Sequence, residues 1–253
     1  MADNRLIVGM PFIESAATKV GELLESYIPH VDSVAIPLPK SLCYEIAIEG
    51  LGSRYMNPEK LRDIALRYMS ESHLRVWKDL ISKIPSIARK HPDKSFNCYL
   101  SDQSYKKSQE IGFKLAELVL RYRITSGKGV KPVEWLKIYS SRESYSKLLK
   151  ALKHNDLVVL DEYRLFDKAQ DILKPYRMLL AKKPLIPTPI DLLDLVLEGE
   201  INLENISRIA EFIARYLGDY IVTSRSYDEA YRKLLNDREY MKFIDELDLN
   251  IYD

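Results

Sequence analysis

Leu157-Val158-Val159-Leu160 is the stretch that most limits how this chain can fold. Four apolar residues in a row are too few for a buried helix, and they do not alternate as a strand with one wet face would. A strand covered by helices on both faces satisfies them, and that is the environment of a parallel sheet. The flanking pattern agrees. Ile138 and Tyr139 read as a short strand, Leu148, Leu149 and Leu152 recur at helical spacing, and Asn155-Asp156 ends that helix. Beyond the apolar run, Asp161-Glu162-Tyr163-Arg164 leads into a helix carrying Phe166, Ala169, Ile172 and Leu173. Residues 134–174 therefore read as strand, helix, strand, helix. In such sheets the polar residues just past the strand ends form the ligand crevice.

The rest of the chain extends the same plan. Leu6-Ile7-Val8-Gly9-Met10 reads as a strand, and Val20, Leu23, Leu24 and Tyr27 as a helix closed by Pro29. Ser33-Val34-Ala35-Ile36 forms a second strand that Pro37-Leu38-Pro39-Lys40 should stop, because proline cannot donate to a sheet ladder. Residues 44–92 keep a helical period and read as a helical insertion, with Asn57-Pro58-Glu59 as a helix start. Phe96-Asn97-Cys98-Tyr99-Leu100 gives a third strand, and Ile111, Leu115, Leu118, Val119 and Tyr122 mark the helix after it. Thr125-Ser126-Gly127-Lys128-Gly129 is a loop but no P-loop, since no strand feeds it and no Gly-Lys-Ser/Thr opens a helix.

Further on, Arg177-Met178-Leu179-Leu180-Ala181 reads as a strand, and the prolines 184, 187 and 189 make a linker-like stretch. Asp191 begins an amphipathic helix, Ile206, Ile209, Ala210 and Ile213 mark another, and Tyr220-Ile221-Val222-Thr223 reads as a last strand. Ser226 with Glu229 fits a capping box for the closing helix. The expectation is an α/β fold: a mostly parallel or mixed central sheet flanked by helices. Residues 1–181 form its core, with the insertion at about 44–92, and residues 182–253 complete the same domain.

Charge narrows the function. Lys+Arg 38 against Asp+Glu 37 leaves no overall pull toward nucleic acid or an anionic membrane. No apolar window reaches the length of a membrane span, and no basic-then-apolar leader opens the chain. The expected location is the cytoplasm, and many Lys, Glu and Arg beside few Gln and Cys lean toward a heat-adapted source. Cys43 and Cys98, the 2 cysteines, make neither a disulfide scaffold nor a zinc motif. His30, His73, His91 and His154 share no short motif, and no Gly-x-Ser-x-Gly elbow is present. Ser141-Arg142-Glu143-Ser144-Tyr145 and Ser224-Arg225-Ser226-Tyr227 echo each other; an arginine beside a helix start suits a phosphate or carboxylate. Residues 190–213 offer apolar faces that a partner or a second copy of the chain would cover.

Four segments together resemble the TraB family, related to TIKI-type proteases and pheromone-shutdown proteins and similar in fold to ChaN-like and erythromycin-esterase-like domains. They are Ile7 through Ser15, Val34 through Leu38 with Tyr44, Leu100-Ser101-Asp102-Gln103 running to Lys114-Leu115, and Ser141 through Leu149 followed by Val158 through Arg164. The resemblance spans about residues 6–174 and lies in the order of elements. It implies an α/β fold and a metal-dependent hydrolase site. Phe12 and Pro37 stand where that site would take a histidine and a glutamate, and Arg164 or its neighbour where it would take a second histidine. Phenylalanine, proline and a guanidinium do not ligate a divalent cation.

The expected function is therefore a catalytically degenerate TraB-like protein, no enzyme and without cofactor, that binds a protein partner or a small anionic ligand at the strand ends. Glu14, Lys40, Asp102, Arg142, Asp161, Glu162, Arg164 and Arg225 are the candidate binding residues, because each follows an expected strand. The alternative is a Mg²⁺- or Mn²⁺-dependent hydrolase using Asp102, Asp161 and Glu162. A structural or assembly subunit is the third reading.

Overall fold

A computed structural model describes residues 5–52, 57–142 and 145–253, without the side chains of 50–52. In chain order it holds β1 (Leu6–Gly9), α1 (Glu14–Tyr27), β2 (Ser33–Pro39), α2 (Lys40–Gly52), α3 (Pro58–Tyr68), α4 (Glu71–Lys90), β3 (Ser95–Leu100) and α5 (Asp102–Ile124). Then follow α6 (Pro132–Tyr139), α7 (Tyr145–Leu152), β4 (Leu157–Leu160), α8 (Tyr163–Ile172), β5 (Arg177–Leu180), α9 (Asp191–Leu197), α10 (Ile206–Arg215), α11 (Tyr227–Leu235) and α12 (Arg238–Glu246). The expected α/β class is what the structure shows: the five strands form one sheet, order β3-β2-β4-β1-β5, parallel throughout.

The chain divides into two compact units. The first comprises residues 1–105, 144–185 and 253, and contains the sheet; the second comprises 106–143 and 186–252 and is helical.

In the first unit β1 and β4 are buried at every residue, as the continuous apolar runs require. The edge strands β3 and β5 are only partly buried. Asp156, just before β4, fixes where β4 meets β2: its Oδ2 accepts from the backbone N–H of Asp32 (2.9 Å) and Ser33 (3.0 Å) and from Ser33 Oγ (3.1 Å). One buried side chain joins sheet to helix. A Cβ built on Gly9 would lie 2.2 Å from Cδ2 of Phe166, so α8 reaches β1 only because residue 9 has no side chain.

Pro37 lies inside β2 and does not end it, while the strand stops at Pro39, its last residue, as the stretch 37–40 required. The strand tolerates them because its pairing with β4 involves only Val34 and Ala35, and its register against β3 shifts between Ile36 and Pro39. The two cysteines, too few for a scaffold, are nevertheless joined to each other, Cys43 of α2 to Cys98 of β3.

In the second unit two expected strands are helical. Ile138 and Tyr139 end α6, which starts at Pro132 with the Lys131 N–H held by Glu134 (2.8 Å) and buries Trp135, Leu136 and Tyr139 on one face. Tyr220 and Ile221 belong to a π-helical turn, Tyr216–Ile221, that prolongs α10. There Asp219 pairs with Arg123, and the Thr223 hydroxyl folds back onto the Asp219 carbonyl, a local bond of helical backbone. The Glu143-Ser144 link of the expected strand-helix unit lies outside the described residues. The apolar faces within 190–213 are spent on the unit's own core: Leu192, Leu193, Leu195, Ile206, Ile209 and Ile213 are buried.

Substituting Gly9 by alanine should cost about 1–3 kcal/mol, the usual penalty for overpacking, read as a lower urea midpoint. Adding Phe166→Leu should recover part of it; a Gly9→Ala protein as stable as the parent would contradict the close approach.

Candidate functional site

Because every strand is parallel, all five C-terminal ends reach one rim of the sheet. From β1 the chain moves to β2 and then β3, toward one edge; from β3 it returns to β4 and then β5, toward the other. Right-handed crossovers then put the helices following β1 and β2 on one face and the helix following β4 on the opposite one. The packing agrees, with α1, α2 and α3 against α4, and α7 against α8. β4 and its two neighbours, β1 and β2, thus send their chains to opposite layers, which opens a crevice around the end of β4.

Six of the expected binding residues belong to this first unit. Asp161 and Glu162 follow β4 at once. The Glu162 Oε2 accepts from the Tyr145 hydroxyl at 2.9 Å. Beneath them the Tyr99 hydroxyl donates to the Val159 carbonyl (3.0 Å). Burial pushes that phenol well above its ordinary range, and the nearby charges of Asp161 and Glu162 push it further. At the end of β3, Asp102 is turned toward the start of α2: Oδ2 lies 2.5 Å from Ser41 Oγ, and Oδ1 accepts from the Ser41 N–H at 3.3 Å. Lys40, the first residue of α2, is exposed. Beyond β1, Glu14 pairs with Arg75 at 3.1 Å.

Arg164 is placed differently from the expectation. It is 4% exposed and pairs with Asp167 at 2.5 Å, so its guanidinium serves α8. Arg142 and Arg225 belong to the second unit, and neither follows a strand. Arg142 lies over the Tyr139 ring (4.9 Å), hydrogen-bonds its hydroxyl and reaches Asp194 at 3.3 Å. Arg225 offers its backbone N–H to Glu229 (2.9 Å), within the expected cap, where Ser226 Oγ accepts from the Glu229 N–H (3.1 Å).

The rim also holds residues that sequence reasoning passed over. Glu14 faces Arg75, Thr18 bonds Asp79 (2.7 Å) and Glu25 bonds Lys83 (2.8 Å), so α1 and α4 run in the same direction. The start of α4 is therefore brought to the strand ends. There His73 lies against Phe12 (5.0 Å between ring centres) and Tyr105 (5.4 Å), with Trp77 6.3 Å from Phe12. The Tyr105 oxygen accepts from the Ser70 N–H (3.2 Å) and is 2.6 Å from His73 Nδ1. A phenol is a stronger donor than a neutral imidazole, so the 2.6 Å contact favours the Tyr105 hydroxyl donating to Nδ1, the tautomer in which the His73 ring proton is on Nε2. Burial holds His73 down at about 4. Only the folded chain joins these residues; four scattered histidines carried no local signal.

Two negative observations concern the described residues alone. They contain no cluster of three or more His, Cys, Asp or Glu placed to hold a metal ion, and no helix long and apolar enough to cross a membrane. Asp102 and the Asp161-Glu162 pair end strands that are separated by β2, about 10 Å apart at the usual strand spacing.

The second unit has an open depression of about 370 Å³ lined by Tyr220, Glu229, Arg232, Lys233, Asn236 and Asp237. Its polar groups are largely engaged with one another: Asp237 takes Tyr220 (2.8 Å) and Arg215 (3.1 Å), and Lys233 takes Glu229 (3.4 Å). That network explains the depression as a structural feature of α11. The rim of the first unit has the stronger claim, on topology. No family model, no curated protein and no solved structure matches this chain.

His73 should remain neutral down to about pH 4, seen by NMR titration of its ring. Since the unfolded chain takes that proton near 6.5, below which the folded value lies, the His73 contribution to stability should fall as pH drops from about 6.5 to about 4 and change no further below that. His73→Phe should flatten that part of the pH profile of the urea midpoint relative to the parent.

Proposed function

We propose that the protein binds a small anionic ligand carrying hydroxyl groups, in the crevice at the end of β4, beside β1 and β2. One observation carries this reading: an all-parallel sheet in which β4 and its two neighbours diverge to opposite layers, with polar side chains grouped at that rim. The helices α1, α2 and α8 start there, directly after their strands, and α4 runs alongside α1. Their positive dipole ends favour an anion over a cation, and exposed Lys40 adds a full charge. Asp161 and Glu162 are acceptors for ligand hydroxyls, and the Nε2–H of His73 is a neutral donor.

The TraB-like order of segments supports the same reading, since its stretches include β1, β2, the end of β3 with the first half of α5, the start of α7, and β4 with the start of α8. Where that family would place metal ligands, Phe12 stacks edge-on to His73, Pro37 is buried within β2, and Arg164 is tied to Asp167. The protein then acts as a binder; Arg142 and Arg225, in the second unit, have no assigned role in this site.

The test is an NMR titration of the whole chain with inorganic phosphate and with citrate. Saturable shifts are expected at the amides of residues 10–16, 40–42 and 161–165, and Lys40→Ala should weaken binding about three- to tenfold. Shifts scattered over the surface, or none at the rim, would remove the reading. Broadening by Mn²⁺ confined to Asp102, Asp161 and Glu162 would turn it toward a metal-dependent hydrolase.

A further inference from the structure

Helix α5 is apolar on more than one side. Ile111, Leu115, Leu118 and Val119 are buried, as its helical period requires. On the other side Phe113 is 76% exposed, Leu120 59% and Ile124 75%. At 3.6 residues per turn these three share one stripe along the helix. Large apolar side chains exposed singly are ordinary, but three in line on one helix mark a surface that another chain covers.

The flanks of the stripe say which chain. Glu110, Lys114, Glu117 and Arg121 lie along one side of it, and among the described residues Glu110, Lys114 and Glu117 have no ion-pair partner. Arg121 is held by Glu134 at 2.7 Å, which leaves further donors on its guanidinium. When two copies of a helix pack antiparallel about a two-fold axis, like flanks face each other with the residue order reversed. An axis level with the Leu115-Ala116 peptide sets Glu110 opposite Arg121 of the second copy and Lys114 opposite Glu117. Both pairs are of opposite sign, and both are repeated by symmetry. Phe113 and Leu120 are symmetric about a point one residue further on, so each ring meets the facing leucine. The remaining flank carries Gly112 and Ala116, and a Cβ on Gly112 would meet nothing within 4 Å. Glycine in a helix interior costs about 1 kcal/mol against alanine. A closely approaching second backbone gives that cost a purpose.

We propose that α5 is the interface of a homodimer, in which two copies pair antiparallel through Phe113 and Leu120, with Ile124 at the edge of the contact, and are held in register by Glu110 with Arg121 and Lys114 with Glu117. The order of charges selects a second copy over an unrelated partner, because it is complementary to its own reverse. Within residues 190–213 most apolar side chains are buried, with Leu197 and Leu203 exposed, whereas α5 carries three exposed ones in line.

Sedimentation equilibrium on the full chain tests this. A mass of twice 29.4 kDa is expected, with a dissociation constant on the order of 10 μM for a single-helix contact. Phe113→Glu should raise that constant at least about tenfold without lowering the melting temperature, since the side chain is exposed. Lys114→Glu alone and Glu117→Lys alone should each weaken pairing, and the double variant Lys114→Glu/Glu117→Lys should restore it, because the reversed charges meet again. A parent protein that stays monomeric at about 200 μM would overturn the proposal. So would a dimer indifferent to Phe113→Glu, or single charge reversals that the double variant does not rescue.

Discussion

The sheet of the first unit depends on the burial of β4 between β1 and β2. Leu157, Val158, Val159 and Leu160 have no exposed surface to speak of, and removing each from water contributes about 2 kcal/mol. β4 is also the only link between the two halves of the sheet, for β1 and β2 do not pair with each other. The N-terminal strands therefore cannot form a continuous sheet until residues 157–160 are inserted between them. Asp156 fixes the depth of that insertion by holding the start of β2 with its carboxylate.

That insertion also decides where chemistry can occur. A strand placed in the middle, with its following helix on the face opposite α1 and α2, separates the two layers at the end of β4, where Asp161 and Glu162 follow, with β1 on one side and β2 on the other. The charged groups around this opening are mostly engaged already: Glu162 with Tyr145, Asp102 with Ser41, Glu14 with Arg75. A ligand would exchange such partners rather than meet bare charges, which favours small, multiply hydrogen-bonding molecules over a lone ion. His73 fits the same setting, since a neutral donor can be buried at less cost than an imidazolium.

Much of the fold was legible because strands and helices bury apolar residues with different periods. The runs at Leu6, Phe96, Leu157 and Arg177 became β1, β3, β4 and β5, and the helical stretch from residue 44 to 92 became parts of α2, α3 and α4. Short segments misled where the same few residues suit either state. Ile138-Tyr139 is apolar enough for a strand, yet Pro132 and Glu134 start a helix that carries through it. Pro37 looked like a stop, yet a strand can hold proline where its ladder is already irregular. Of the candidate site, Glu14, Lys40, Asp102, Asp161 and Glu162 could be found because they directly follow strands or open the next helix. His73 and Tyr105 could not, because they are 32 residues apart and meet only through packing.

By itself the sequence determined the α/β class, a mostly parallel or mixed sheet covered by helices, since an uninterrupted apolar run such as Leu157 through Leu160, bounded by helical periods, suits a strand buried on both faces. It also placed Lys40, Asp102, Asp161 and Glu162 just past strand ends. Tertiary structure alone decided the strand order, the burial of Arg164, the meeting of His73 with Tyr105 and the exposure of Phe113, Leu120 and Ile124. Each of these is a contact, or its absence, between segments distant in the chain. Local periodicity says that a residue wants burial but not which neighbour supplies it.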